Sequence, residues 1–285
     1  MTYLNNVSVV FVSFFSDKII EKSIKQVNPK IKIYIIEQSR NFKLKKDLEK
    51  KYKNVEVVIP KKNKGNGAGI NLGIKKSRTK YVFYLDLDVK IKENIFKIMH
   101  DKAENIKDFV LLAPKIKNYI YRKNLYEKKT IFDFQQMNFV VGCALFFNKK
   151  ILKKVGYFDE NIFLYYEEND FYKRCLKKNQ PIYLVNSVEI EHVGNSSTDK
   201  KFYKEIEINR NWHLMWSSFY FHRKHYGILT AYQKTFFKYL SAVFKTIYYK
   251  FVFNDFKKEV YFARASGIFN AIIKNKSWHR PGIKQ

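Results

Sequence analysis

The stretch Tyr81-Val82-Phe83-Tyr84-Leu85-Asp86-Leu87-Asp88 decides the fold: five apolar or aromatic residues run without alternation into two carboxylates. A short run with no polar face reads as a strand covered on both sides. Upstream, Val7–Ser13 and residues 31–36 and 55–59 have the same character, while residues 17–26, 41–52 and a short segment through Lys76 read as helices. Doubly covered strands that alternate with helices imply an α/β fold built on a parallel sheet. Ligands of such sheets bind beyond the carboxyl ends of the strands, so the residues just after each strand are the ones to inspect.

Downstream, residues 139–147 read as a strand, Lys149–Val155 as a helix, and a further helix starts near Glu167 and carries Arg174. A last strand, 182–185, leads to Glu191-His192, and beyond Lys200 the chain turns helical, aromatic and basic. No internal repeat or low-complexity linker interrupts it.

With 285 residues, 46% hydrophobic and 18% aromatic, the composition excludes a disordered chain. Cys143 and Cys175 stand apart, with no CxxC or Cys/His cluster, which excludes a disulfide framework or structural zinc site and fits a reducing, cytoplasmic setting. No cationic stretch precedes the apolar run at 7–12, so it reads as a strand and not a signal peptide. The uncharged run 134–148 is shorter than the roughly 20 residues of a membrane-crossing helix. The net charge of +29 raises nucleic acid or an anionic membrane surface as partners. Lysine, Ile, Asn, Phe and Tyr are abundant together, the bias of an AT-rich coding sequence, and no nucleic-acid motif accompanies the charge.

Three elements carry chemistry. Asp86 and Asp88, at i and i+2 past a strand end, can share one divalent cation, and hard oxygen ligands suit Mg²⁺ or Mn²⁺. Residues 63–73, Asn-Lys-Gly-Asn-Gly-Ala-Gly-Ile-Asn-Leu-Gly, are glycine-rich, yet Ile70 stands where a dinucleotide fingerprint needs glycine and no Walker lysine follows. Those glycines read as points where backbone approaches a nucleotide or sugar closely. Finally, Gly156-Tyr157-Phe158-Asp159-Glu160 is followed by Phe163-Leu164-Tyr165-Tyr166-Glu167-Glu168-Asn169-Asp170. Carboxylates in a first helical turn are kept ionised by the helix dipole, which leaves them able to accept a proton from a hydroxyl.

In this order and spacing the elements resemble family 2 glycosyltransferases of the GT-A nucleotide-sugar-binding fold, in particular the rhamnosyltransferase-like branch, from about Val7 to about Gly227. Val9-Val10-Phe11-Val12-Ser13-Phe14-Phe15 is similar to the family's opening strand, and Ile35-Ile36-Glu37-Gln38-Ser39 stands where the family's base-binding Asp lies, with Glu37 one methylene longer. The family's N-x-G-x-x-x-G-x-N-x-G is met at Asn63, Gly65, Gly69, Asn71 and Gly73, and its Asp-x-Asp at Asp86 and Asp88. The later G-x-F-D-E and F-x-Y-x-E-D-x-D-x-x-x-R are met at Gly156, Phe158, Asp159, Glu160, Phe163, Tyr165, Glu167, Asp170 and Arg174, with Glu168 in place of the usual Asp. His192, Gly194 and Ser196 resemble the closing H-x-G-x-S.

The resemblance implies a Rossmann-like mixed, mainly parallel sheet with helices on both faces over residues 1–227, and a C-terminal helical extension over 228–285. It implies an inverting transfer from a UDP- or dTDP-sugar, rhamnose among the branch's donors, to a hydroxyl of a glycan or lipid-linked glycan in cell-surface polysaccharide synthesis. Ser13, Glu37, Asn63, Gly65, Gly69, Asn71 and Asp86 would bind the donor; Asp88, with Asp86 and His192, would hold Mg²⁺ or Mn²⁺. Glu168 would be the base, with Glu167 and Asp170 beside it.

On a helical wheel over 232–249, Lys234, Lys238 and Lys245 share one side and Phe236, Leu240, Val243 and Ile247 the other. This reads either as a core-facing helix with a solvated lysine face or as an interfacial helix that holds a cytoplasmic enzyme on the anionic inner face of the membrane. Two rivals to the transferase stand beside it: a glycosyltransferase-like module without catalysis, and a basic nucleic-acid-binding protein that would leave the ordered acidic elements without a purpose.

Overall fold

The computed structural model describes residues 2–92, 94–120, 126–194 and 200–281, the side chains of 126–131 and of Lys200 excepted. The chain forms two compact units. One comprises Met1–Lys64, Ala68–Phe158 and Phe171–Asp199; the other comprises Gly65–Gly67, Asp159–Asp170 and Lys200–Gln285.

The chain opens with α1 (Tyr3–Asn6), β1 (Val7–Ser13), α2 (Asp17–Lys25), β2 (Lys32–Glu37), α3 (Phe42–Lys51), β3 (Val55–Val58), α4 (Asn66–Lys76) and β4 (Tyr81–Leu85). It continues through β5 (Val89–Lys90), α5 (Ile95–Ile106), β6 (Leu111–Ile116), β7 (Tyr126–Ile131), β8 (Phe134–Met137), β9 (Ala144–Asn148), α6 (Lys149–Val155), α7 (Glu167–Lys177) and β10 (Ile182–His192). The ten strands among the described residues join one sheet in the order β3-β2-β1-β4-β9-β6-β10-β8-β7, with β5 paired to β10 off that path. From β3 to β4 the neighbours are parallel; β9 then enters antiparallel between β4 and β6, and β6 and β10 are again parallel.

The unalternating strands are buried on both faces, as their composition requires. Val7, Val9 and Phe11 of β1 and Tyr81, Phe83 and Leu85 of β4 pack with Ile20, Leu48, Phe96 and Met99 from α2, α3 and α5. Val10, Val82 and Tyr84 face the other way, toward Ile70, Ile74, Leu152, Phe171 and Tyr172 from α4, α6 and α7. Close approach of α4 to β1 depends on Gly73, where a Cβ would lie 2.4 Å from Val10 Cγ1.

Two expected elements shift. Residues 139–143 are not strand; β9 begins at Ala144, after a turn at Gly142-Cys143 whose Cys143 carbonyl accepts from the Asp86 N–H at 2.8 Å. The last strand is longer than 182–185: it keeps β6 as a neighbour across a bulge between Val185 and Glu189, and its end pairs with β5, His192 opposite Val89.

The second unit carries α8 (Tyr203–Tyr226), α9 (Ile228–Phe251) and α10 (Asp255–Ile272), packed around Trp212, Trp216, Phe219, Ala231, Ala263, Ile268 and Ala271. Packing thus groups α8 with the helices that follow it, whereas the sequence division falls at the turn around Gly227. Helix α9 enters the bundle through Ala231, Thr235 and Ala242 and leaves Phe236 and Ile247 exposed, so its apolar side is not the core side. Among the described residues no helix is long and apolar enough to cross a membrane.

Candidate functional site

The carboxyl ends of β1, β2 and β4 lie along one edge of the parallel half of the sheet, the edge at which such sheets bind ligands. At the end of β1, Ser13 is wholly buried and its hydroxyl has no hydrogen-bond partner among the described residues. Its carbonyl accepts from the Gln38 N–H at 2.8 Å, and Gln38 Oε1 accepts from the Lys64 N–H at 3.0 Å, so the loops that carry Ser13, Glu37 and Asn63 are tied together. Glu37 is fully buried: Oε1 accepts from the Ser39 N–H at 2.9 Å and from the Ser39 hydroxyl, and Oε2 accepts from the Asn41 N–H at 2.7 Å. The side chain read as a base ligand therefore organises its own loop.

Asp86 and Asp88 follow β4, and the pairing of β5 with β10 carries His192 to them. His192 Nε2 lies 3.3 Å from Asp88 Oδ1 and 4.0 Å from Asp86 Oδ2, and one ligand atom from each of the three residues falls within 4.8 Å of the others. The Tyr84 hydroxyl donates to Asp86 Oδ1, which orients that carboxylate. The hydrogen bond that His192 donates to Asp88 favours the imidazolium against burial, which alone would discharge it, and its pKa is raised. Two carboxylates and an imidazole make a donor set suited to Mg²⁺ or, with its nitrogen ligand, Mn²⁺. The Asp88 side chain is almost wholly buried with the His192 ring beside it, and a cation there would compensate the burial of a carboxylate. Ser196, the end of the H-x-G-x-S resemblance, lies outside the described residues.

Other motif residues serve packing. Asn71 is buried and holds Phe158 by both backbone groups, donating from Nδ2 to the carbonyl at 2.9 Å and accepting the N–H at 3.0 Å. Gly69 lies against the Val12 side chain on the strand side of α4. Arg174 donates to the carbonyls of Val155, Gly156 and Tyr157 at 3.2, 3.1 and 2.6 Å, where α6 ends at Gly156.

The acidic residues Glu167 and Asp170, with Glu168 between them, occupy the first turn of α7, and the second unit holds all three. Tyr165 and Tyr166, just before them, have φ of +62° and +67°. Two successive aromatic residues in the left-handed region cost about 1–3 kcal/mol each and persist where the surroundings over-determine them. One such constraint is visible at Gly65: a Cβ there would lie 1.9 Å from the Phe163 carbonyl oxygen, which also accepts from the Asn66 N–H at 3.1 Å. Asn66 Nδ2 donates to Glu167 Oε1 at 3.4 Å, and Glu167 is 2% exposed. Glu168 keeps some surface, but protein crowds its carboxyl and burial raises its pKa.

Asp170 is wholly buried and serves as an anchor. Its Oδ1 accepts from His225 Nε2 at 2.8 Å and lies 2.6 Å from Lys224 Nζ, which is also 2.6 Å from Asp159 Oδ2. The Tyr220 hydroxyl donates to the same Asp159 oxygen at 2.9 Å. Burial works to raise the Asp159 pKa, and the hydrogen bonds from Lys224, the Asn161 N–H and Tyr220 outweigh it and hold the carboxyl low. These α8 partners escape a sequence reading because ion pairs more than fifty residues apart leave no local pattern.

The model of glycosyl transferase family 2 matches residues 8–156. An uncharacterized glycosyltransferase of Acanthamoeba polyphaga mimivirus is 30% identical over 151 residues, which cover 51% of this chain and 59% of that protein, so the match takes in less than two thirds of the relative's length. A low-salt glycan biosynthesis hexosyltransferase of Haloferax volcanii is 18% identical over 212 residues, 67% of this chain and 68% of that one. The crystal structure of S. aureus TarS 1–349 in complex with UDP-GlcNAc superposes with a TM-score of 0.54 at 12% identity, covering 96% of this chain and 93% of that one. GalNAc-T7 with UDP, GalNAc and Mn²⁺ gives 0.54 at 15% identity, over 77% and 50%. At these identities the structural likeness is one of fold.

Proposed function

The chain belongs to glycosyltransferase family 2, and from that premise we propose that it is an inverting, metal-dependent hexosyltransferase acting on a nucleoside diphosphate sugar. The donor is a UDP- or dTDP-sugar, with rhamnose among the candidates, and the acceptor is a hydroxyl of a glycan or lipid-linked glycan in cell-surface polysaccharide synthesis. The enzyme works in the cytoplasm, peripherally bound at the inner face of the membrane where a lipid-linked acceptor is presented. UDP-GlcNAc in the TarS structure, and UDP with Mn²⁺ in the GalNAc-T7 structure, support the choice of donor and cation.

The observation that carries this reading is the convergence of Asp86, Asp88 and His192, from the ends of two separate strands, to within 4.8 Å. Asp88, with Asp86 and His192, would hold Mg²⁺ or Mn²⁺, which when bound neutralises the charge that grows on the departing diphosphate. The loops that carry Ser13, Asn63 and Gly65, with Glu37 behind them, receive the nucleotide, and the unpartnered Ser13 hydroxyl is free to bond it. Gly69 and Asn71 act from further back, by fixing α4 beneath those loops. Glu168 takes the acceptor proton as the hydroxyl attacks the anomeric carbon on the face opposite the diphosphate; a carboxyl with a raised pKa is the better base. Glu167 and Asp170 position the turn that holds it.

Glu168→Gln should lower transfer by about 10²–10⁴-fold with nucleotide binding retained. A variant with near-normal turnover would move the base to Glu167. Activity undiminished in EDTA would remove the metal role of Asp88.

A further inference from the structure

The exposed surface of the helical unit is unusual in which side of α9 it shows to solvent. Taking about 100° per residue, the buried Ala231, Thr235 and Ala242 fall within about 40° of one another. Phe237, Phe244 and Phe251, seven residues apart, lie on the opposite side and are 77%, 68% and 75% exposed. Leu229, Phe236 and Ile247 widen the same stripe, and all three are exposed. Lys234 and Lys250 flank it, about 60° round from Phe237 and about 40° round from Phe236, while Lys245 turns to α10, its Nζ 5.0 Å from the centre of the Tyr261 ring. At the turn into α10 the stripe ends in Phe251-Val252-Phe253, with Phe253 92% exposed at φ +51°. Scattered exposed apolar residues are ordinary, but a continuous aromatic stripe that ends in a three-residue apolar tip is not.

We propose that this stripe and tip dock the protein on an anionic lipid bilayer, the aromatic rings in the interfacial layer and the flanking lysines reaching to the headgroups. The proposal rests on the membrane placement given under the proposed function and names the surface that makes it. Residues 228–285 contain eleven Lys and Arg against two acidic residues, Asp255 and Glu259. Charge selects the occupant. A second copy of the chain would bring the same cations face to face across a twofold interface, whereas anionic headgroups complement them. Lysines beside an apolar stripe can lay their stems on it and keep their ammonium groups with the phosphates.

Vesicle flotation tests the proposal on the full chain. The protein should float with phosphatidylcholine vesicles that contain phosphatidylglycerol and bind pure phosphatidylcholine at least about tenfold more weakly. Replacing Phe237, Phe244 and Phe251 together by Ser should lower binding more than about tenfold, and Lys234→Gln and Lys250→Gln by about fivefold each. Circular dichroism should be unchanged, since all three aromatic side chains are largely exposed. The proposal is overturned if the wild-type protein fails to float, if flotation ignores the anionic lipid or survives the triple Phe variant, or if sedimentation shows a dimer that the same substitutions dissociate while vesicles are not bound. Nucleoside diphosphate release in vesicle-free solution reads the transferase assignment separately: release without flotation removes the docking surface alone, and flotation without release removes the transferase reading alone.

Discussion

Replacing Gly73 by Ala sets two effects of opposite sign against each other. In a helix interior Ala is favoured over Gly by about 0.8–1 kcal/mol, so α4 taken alone should gain stability. The added Cβ, however, would lie 2.4 and 2.8 Å from the two γ carbons of Val10 and 3.2 Å from its Cβ. Val10 is wholly buried and β-branched in the middle of β1, so neither its rotamer nor its strand can give way cheaply. Overpacking of that kind costs about 1–3 kcal/mol, and contact with both methyls puts it at the upper end. The net expectation is a loss of about 2 kcal/mol, or a fall in Tm of about 4–8 °C. Gly69→Ala should be close to neutral, because its Cβ would meet the γ carbons of the partly exposed Val12 at 3.0 Å. Far-UV circular dichroism is the suitable probe, since Trp212, Trp216 and Trp278 all lie in the helical unit and report on that unit. The double variant with Val10→Ala should recover about 1–2 kcal/mol as a coupling between the two sites. A Gly73→Ala protein as stable as the wild type would refute the claim that this glycine is there for the strand.

Two further outcomes follow from the acidic residues. Burial raises the Glu168 carboxyl, so kcat/KM should be full above that raised value and fall as pH drops through it; an acid limb no higher than the free side chain's, about pH 4.3, would contradict the assignment. Lys224→Met leaves His225 on Asp170, and Tyr220 and Asn161 on Asp159, and should destabilise the helical unit by about 3 kcal/mol, read by tryptophan fluorescence in denaturant; a change below about 0.5 kcal/mol would show that the cluster is effectively solvated.

Much of the sheet was legible in the sequence because a doubly covered strand has no polar face, and Val7–Ser13 and Tyr81–Leu85 have the expected bounds. The stretch between Asp88 and Phe139 was not. There β5 has only two residues, β6 contains Pro114 and Lys115, and β7 and β8 carry polar residues at the sheet margin, so neither period stands out. The glycine-rich segment was legible as a place of close backbone approach, but the spacing of Gly69 and Gly73, one helical turn, points to β1. Burial was the unreadable quantity: Glu37 and Asn71 bond to neighbouring backbone, and a sequence shows the carboxylate or amide without showing what satisfies it. His192 reaches Asp88 through the pairing of the end of β10 with the two-residue β5, which lies beyond a bulge in β10, an irregularity that strand propensities do not encode.

The central claim is that this chain cleaves a nucleoside diphosphate sugar with help from the cluster after β4. It is tested most directly by nucleoside diphosphate release from a panel of UDP- and dTDP-sugars in Mn²⁺, for the wild type and for Asp88→Asn. The account predicts release from at least one donor, and a loss of at least about 10²-fold in the folded variant. Absence of release from every donor would mark a binding module without catalysis, and equal release from Asp88→Asn would separate the reaction from the Asp86, Asp88 and His192 cluster.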